Sequence, residues 1–198
     1  MATDIKKIIS NLFKFYNFDN KEIISVGAGG GQLIEYGRNS KNVSAVDCNE
    51  RALSKLRDNL TGSGLEDKFT LIYSDFYLTD LKGDLVVFEF CLHEMKDAET
   101  ALKHAQTMAP DVLILDHWPG SEWAFTGNEE ENIVKSWAAL NRFHLKKIQK
   151  YDTVQVFHDY EEIYQKVKLQ GEISIERINK YKDKTNFSIP MSYGFALI

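Results

Sequence analysis

Ile23-Ile24-Ser25-Val26-Gly27-Ala28-Gly29-Gly30-Gly31-Gln32-Leu33 decides the fold. A β-branched run breaks into glycines and gives way to a helical pattern, so the stretch predicts a strand, a tight turn and a helix start. Glycine is needed where the backbone takes a positive φ or must lie against a ligand with no Cβ in the way. A helix N-terminus just beyond such a turn offers free N–H groups, and together they make a seat for a nucleotide-like ligand. The dinucleotide fingerprint requires Gly or Ala at the sixth position of the turn. Counted from Gly27 that position is Gln32, and the fingerprint fails. What remains is glycine at the first, third and fifth positions: Gly27, Gly29 and Gly31.

Three later segments complete the pattern. Asn42 to Val46 reads as a second strand ending at Asp47, 20 residues beyond Gly27. A carboxylate at that distance can accept hydrogen bonds from both ribose hydroxyls of an adenosine; the plainer alternative is a cap for the helix starting near Asn49. Phe69 to Tyr73 reads as a third strand that delivers Ser74, Asp75 and Phe76 to its carboxyl end, where open α/β sheets place ligands. Asp84 to Phe90 is a continuous apolar strand of the kind a parallel sheet buries, and it leads into Cys91-Leu92-His93-Glu94-Met95.

In this order and at these intervals, residues 22–118 resemble the class I S-adenosylmethionine (SAM)-dependent methyltransferases. The resemblance implies SAM as cofactor, with Gly27, Gly29 and Gly31 as the glycine turn and Asp47 on the ribose. It implies that Asp75 accepts from the adenine amine and the Phe76 N–H serves a ring nitrogen, although Asp75 also reads as an ordinary loop residue. Cys48, Glu89 and Phe90, at the ends of the second and fourth strands, join the expected cofactor-binding set.

The remaining layout follows hydrophobic period. Ile5, Ile8, Ile9, Leu12 and Phe13 predict an amphipathic helix within residues 1–20. Ala52, Leu53, Leu56 and Leu60 mark another helix, ended by Gly62 and Gly64, and residues 97–109 a third, with Asp97 near its start and Pro110 beyond its end. Val112 to Leu115 is a fifth strand carrying Asp116, His117 and Trp118. Glu129 to about Arg142 reads as a helix capped by Asn128, followed by strands at 145–157 and 189–198. The long connection between them, 159–187, looks like a helical insertion that caps the acceptor pocket or makes a homodimer contact. The expectation is an α/β fold: a doubly wound, mostly parallel seven-stranded sheet with an antiparallel last strand and that insertion before it. It forms one domain, 1–198, with a cofactor-binding half at 21–118 and an acceptor-side half at 119–198.

With 24 basic and 29 acidic residues the net charge is −5, which disfavours a nucleic-acid partner because phosphate binding needs a basic stripe. No run approaches the length of a membrane span, and the start, Met1 to Lys7, lacks the apolar centre of a signal peptide. Cytoplasmic placement follows as an expectation, with Cys48 and Cys91 as reduced thiols.

Methyl transfer from a sulfonium is an in-line displacement that needs alignment and exclusion of water more than a powerful catalyst. The side chains nearest the methyl by fold logic are His93 and Glu94 after the fourth strand and Asp116, His117 and Trp118 after the fifth. Either histidine can take the acceptor's proton near neutral pH, or merely satisfy backbone groups in the core. Phe13, Phe15, Tyr16, Trp118, Trp123, Trp137, Tyr160, Tyr164 and Tyr193 fall in the elements around that face, and the acidic group Glu122, Glu129, Glu130 and Glu131 suits an amine acceptor or simply a solvated helix start. His93, Glu94 and His117 could also converge on a metal, but no His-Glu-x-x-His spacing supports one and no metal is expected. The reading is a methyltransferase acting on a small-molecule acceptor. Two others compete: an NAD(P)-dependent oxidoreductase using Tyr164 and Lys168, and a SAM-binding protein without turnover.

Overall fold

The computed structural model describes residues 2–3 and 5–198. Met1 and Asp4, part of the start inspected for a signal peptide, lie outside the described residues. Seven strands form the main sheet: β1 (Glu22–Val26), β2 (Asn42–Asp47), β3 (Phe69–Tyr73), β4 (Leu85–Glu89), β5 (Asp111–His117), β6 (Lys147–Phe157) and β7 (Phe187–Leu197). Their order is 3-2-1-4-5-7-6, parallel throughout except for β7, which runs antiparallel to both β5 and β6. A two-residue strand, Ala2–Thr3, extends the β6 edge antiparallel, opposite Val156 and Gln155. The sequence offered no sign of it.

The central strands are buried on both faces, which explains their unbroken apolar runs. Residues of one parity, Ile23, Leu85, Val87, Leu113 and Leu115, meet Ile8, Leu12 and Phe15 of helix α1 (Ile5–Phe15). The other parity, Ile24, Val26, Val86, Phe88, Val112 and Ile114, meets Ala101, Leu102, Ala105 and Met108 of α3 (Ala98–Met108). Between them in sequence, α2 (Glu50–Ser63) places Leu53, Leu56 and Leu60 on Ala45 and Ala28. Its N-cap is Asn49, whose side chain accepts from the Arg51 and Ala52 N–H groups, so Asp47 does not serve as the cap.

The part of the chain after β5 begins with α4 (Glu122–Thr126) and α5 (Glu130–Ala139). The insertion is real: α6 (Tyr160–Val167) and α7 (Glu172–Ile178), each continued by a 3-10 turn, occupy the span between β6 and β7. It packs onto its own half of the molecule, burying Ile163, Val167 and Ile178 with Trp123 and Phe157. Arg177 pairs with Glu130 at 2.9 Å and lies over the Phe125 ring.

Two local expectations are corrected. The glycine turn is followed by a short 3-10 turn, Ile34–Arg38, and not by a full α-helix. Leu33, Ile34, Tyr36 and Gly37 are all buried, and such near-continuous burial leaves no solvent face for an amphipathic helix. Asn128 does not cap α5; it adopts φ +61°, and Glu129 stands in the cap position without a side-chain cap bond.

Glycine positions give a paired test of this packing. A Cβ on Gly31, at φ +74°, would lie 2.5 Å from Leu56 Cδ1, whereas nothing lies within 4 Å of one on Gly62 inside α2. Gly62→Ala is expected to raise unfolding stability by about 0.5–1 kcal/mol and Gly31→Ala to lower it by about 1 kcal/mol or more, read from urea midpoints. Equal shifts of one sign would contradict the assigned backbone.

Candidate functional site

The sheet order reverses between β1 and β4, and open α/β sheets bind ligands at the carboxyl ends of such a pair. A cleft of about 460 Å³ lies there, lined by Gly27, Gly29, Asp47, Cys48, Asp75, Phe76, Glu89 and Phe90, together with Asn49 and Cys91. Eight of the nine residues expected to hold the cofactor therefore share one cavity. Gly31 is the exception: it packs beneath the turn against Leu56.

Gly27 shows why the turn is glycine. At φ +66° it presses its α-carbon to Cys91, and a Cβ would meet Cys91 Cβ and Sγ at 2.5 Å. Asp47 braces the same turn: one oxygen accepts the Gly29 N–H at 2.9 Å and the other the Asn49 N–H at 2.8 Å. Each carboxylate oxygen has two lone-pair sites, so both retain capacity for ribose hydroxyls. Asp75 is exposed and accepts the Tyr77 N–H at 3.0 Å, capping a 3-10 turn at Phe76–Leu78. Its loop role and a place in the cleft therefore coexist. Phe76 is buried against Phe88, edge to face at 5.4 Å between ring centroids.

Glu89 sits at the floor of the cleft and accepts hydrogen bonds from the Ser25 and Tyr36 hydroxyls. Burial pushes its carboxyl up to about 7, against the opposing pull of those two donors, and the nearby Asp47 charge adds to the rise. Phe90, the next residue, takes φ +52°, a strained conformation for an aromatic residue. That twist sets its ring 4.9 Å from His117.

Beyond Phe90 lies a second cavity of about 200 Å³, lined by Phe90, His93, Glu94, His117, Trp123 and Glu129, with Gln155, Lys166 and Gln170 on the far wall. Phe90 and Glu94 line both cavities. His93 is buried and locked: its Nδ1 lies 2.6 Å from Asp116 Oδ1, and its backbone N–H donates to Asp116 Oδ2 at 3.0 Å. The ring thus carries its proton on Nδ1 and turns Nε2 to the cavity, 3.8 Å from Glu129 Oε2. Burial acts to lower the His93 pKa, but the hydrogen bond and charge of Asp116 outweigh it and the net direction is up. Glu94 and Glu129 are both raised, chiefly by burial, with His93 pulling each back down.

His117 differs. Burial lowers its pKa to about 4, so the ring stays neutral at neutral pH. Of the expected aromatic lining, Trp123 alone borders this cavity; Trp118 and Trp137 contact each other at 4.5 Å, and Trp137 donates to the His117 carbonyl. Asp116 and Glu129 carry more of the site than sequence reasoning assigned them. A polar residue ending an otherwise buried strand marked Asp116, while Glu129 was marked only as one of an acidic group suited to an amine acceptor or a solvated helix start. Tyr164 and Lys168 line neither cavity, and Lys168 is bonded to Gln165.

The raised Glu89 carboxyl has a consequence for stability. A group whose pKa is higher folded than unfolded contributes stability that is fully present below its unfolded value, about 4.5, and is lost as pH rises through about 7. Replacing Glu89 by Gln is expected to flatten the fall in apoprotein stability between those limits, measured by chemical denaturation across pH. Parallel curves for the two proteins would rule out a raised pKa at this position.

Residues 24–110 match the family model described as a methyltransferase domain. Ribosomal protein L11 methyltransferase from Shewanella woodyi is 33% identical over 123 residues, which span 60% of this chain and 38% of that protein. The chain thus corresponds to well under half the length of that curated relative. Among solved structures, the YcgJ protein from Bacillus subtilis superposes with a TM-score of 0.69 at 13% identity, covering 98% of this chain and 96% of that one. A SAM-dependent methyltransferase from Aquifex aeolicus gives 0.61 at 17% identity, covering 99% and 90%. Magnesium protoporphyrin IX methyltransferase from Synechocystis PCC 6803, solved with bound SAM, gives 0.56 at 13% identity, covering 97% and 77%. Among the described residues no helix is long and apolar enough to cross a membrane. A Gly-x-Gly-x-Gly turn, an aspartate 20 residues beyond its first glycine and a 3-2-1-4-5-7-6 sheet with antiparallel β7 agree with the match of residues 24–110 to a methyltransferase domain.

Proposed function

We propose that this protein transfers the methyl group of SAM to a heteroatom of a small molecule bound in the cavity beyond Phe90. The observation that carries this reading is the shared wall: Phe90 and Glu94 border both the cofactor cleft and the smaller cavity. A methyl donor in one and an acceptor in the other meet across those two side chains. The acceptor's lone pair forms the bond to the methyl carbon, and the C–S pair stays on sulfur to give S-adenosylhomocysteine. Proximity and exclusion of water supply most of what such a step requires. His93 and Glu94 are the assigned groups at the reacting heteroatom, Asp116 positions His93, and neutral His117 orients the acceptor through a hydrogen bond.

The relative from Shewanella woodyi is named for a ribosomal protein substrate. What favours a small molecule here is the wall built by the insertion. Lys166 and Gln170 line the cavity from that side, while Ile5 and Ile8 of α1 line it from another. Cytoplasmic placement belongs to the same reading, with Cys48 and Cys91 free.

Two variants separate cofactor binding from transfer. Asp47→Ala is expected to weaken SAM binding several-fold or more by calorimetry, through loss of the ribose bonds. His93→Gln should leave SAM affinity within about twofold and lower turnover by about 100-fold or more, read as S-adenosylhomocysteine release in an acceptor screen. Unchanged SAM affinity in Asp47→Ala would remove the cofactor assignment. Turnover with protein fractions and none with small molecules would overturn the acceptor class.

A further inference from the structure

We infer that His93, Glu94 and Glu129 form a divalent-cation site that anchors an oxygen of the acceptor, so that the acceptor meets these side chains through a metal ion. This rests on the reading that the acceptor occupies the smaller cavity. One donor atom from each residue, a ring nitrogen of His93 and a carboxylate oxygen of each glutamate, lies within 4.8 Å of the other two. Donors on one ion at about 2.1 Å are at most about 4.2 Å apart. The His93 to Glu129 pair, at 3.8 Å, already meets that limit, and Glu94, which borders both cavities, closes the remainder by rotation. The trio differs from the one considered on sequence grounds, because Glu129 replaces His117.

Three further features bear on the assignment. A metal-ligating histidine usually donates its other ring N–H to a carboxylate, which sets the tautomer and aims the lone pair. Asp116 does this at 2.6 Å and is itself fully buried. Glu129, standing at the α5 cap position, makes no cap bond; Gln170 Nε2 donates to its Oε1 at 2.6 Å, leaving Oε2 nearest His93. Two buried polar atoms of residues lining the same cavity, His117 Nδ1 and Gln170 Oε1, have no hydrogen-bond partner among the described residues, and His117 is only 9% exposed. Unpartnered atoms there point to a ligand that completes them.

One imidazole and two carboxylates suit Mn²⁺, Fe²⁺ or Zn²⁺. An acceptor hydroxyl on such an ion loses its proton to solvent at a lower pH than it would free. Its oxygen pair then attacks the methyl carbon and the C–S pair departs with sulfur. An oxygen acid, such as a phenol or an enol, is the acceptor class this predicts.

Mn²⁺ is the probe of choice, since the exposed Cys48 thiol has little affinity for it. Chelator-treated protein saturated with S-adenosylhomocysteine is titrated with Mn²⁺ and followed by electron paramagnetic resonance. The wild type is expected to take one ion. Glu129→Gln and Glu94→Gln should each weaken binding at least tenfold, while Glu131→Gln, on the exposed side of α5, leaves it unchanged. A SAM thermal shift in every variant verifies that the cofactor half is folded. Absence of binding up to 1 mM Mn²⁺, or equal affinity in the wild type and both site variants, overturns the cation site. Because metal binding is read without turnover, its failure leaves the methyl-transfer reading standing; a protein that binds Mn²⁺ yet releases no S-adenosylhomocysteine with any acceptor fails the other way.

Discussion

Asp116 is the constraint around which the smaller cavity is arranged. Its carboxylate has no exposure to solvent, and a buried charge is costly unless donors surround it. Three N–H groups do so: the His93 backbone and Nδ1, and the His117 backbone at 2.8 Å. These bonds tie the loop after β4 to the end of β5 and leave the His93 ring one orientation. Loss of any one donor leaves charge uncompensated, so the loop and the ring stay fixed together. The catalytic reading and the cation site both inherit that rigidity.

A different economy operates on the cofactor side. Asp47 is spent partly on its own fold, accepting the Gly29 and Asn49 N–H groups, and the same bonds shape the turn that lines the larger cleft. Gly27 lets the backbone touch Cys91, whose thiol in turn donates to the Val26 carbonyl at 3.2 Å. The floor is Glu89, held by Ser25 and Tyr36. Tyr36 arrives from the short turn that replaces the expected helix, so the departure from a full helix has a use: it brings a phenol under the sheet edge to satisfy a buried carboxyl.

Between the two sides stands Phe90. Its positive φ is a strain that a loop residue holds only when its surroundings compel it. Here the compulsion is its N–H donating to the Leu115 carbonyl at 2.7 Å, which continues the β4 to β5 pairing one residue past the strand. The ring is thereby turned to His117 and forms part of the wall shared by the two cavities.

By itself the sequence determined the sheet, the cofactor turn and the spacing of its acidic partner, because those features rest on local period and on glycine, which act within a few residues. Strands β1 to β5, helices α2 and α3 and the two-helix insertion were legible for that reason, as was the position of Asp75 at a strand end. Tertiary structure alone decided the rest. Phe90 carries no local mark of its left-handed backbone, and Asn128, which reads as a cap, instead takes a left-handed backbone and leaves α5 without a side-chain cap. The meeting of His93 with Glu129 joins residues far apart in the chain, and the neutrality of His117 is a consequence of burial. Burial and long-range pairing are properties of packed surfaces, and no window of sequence contains both of the surfaces that meet.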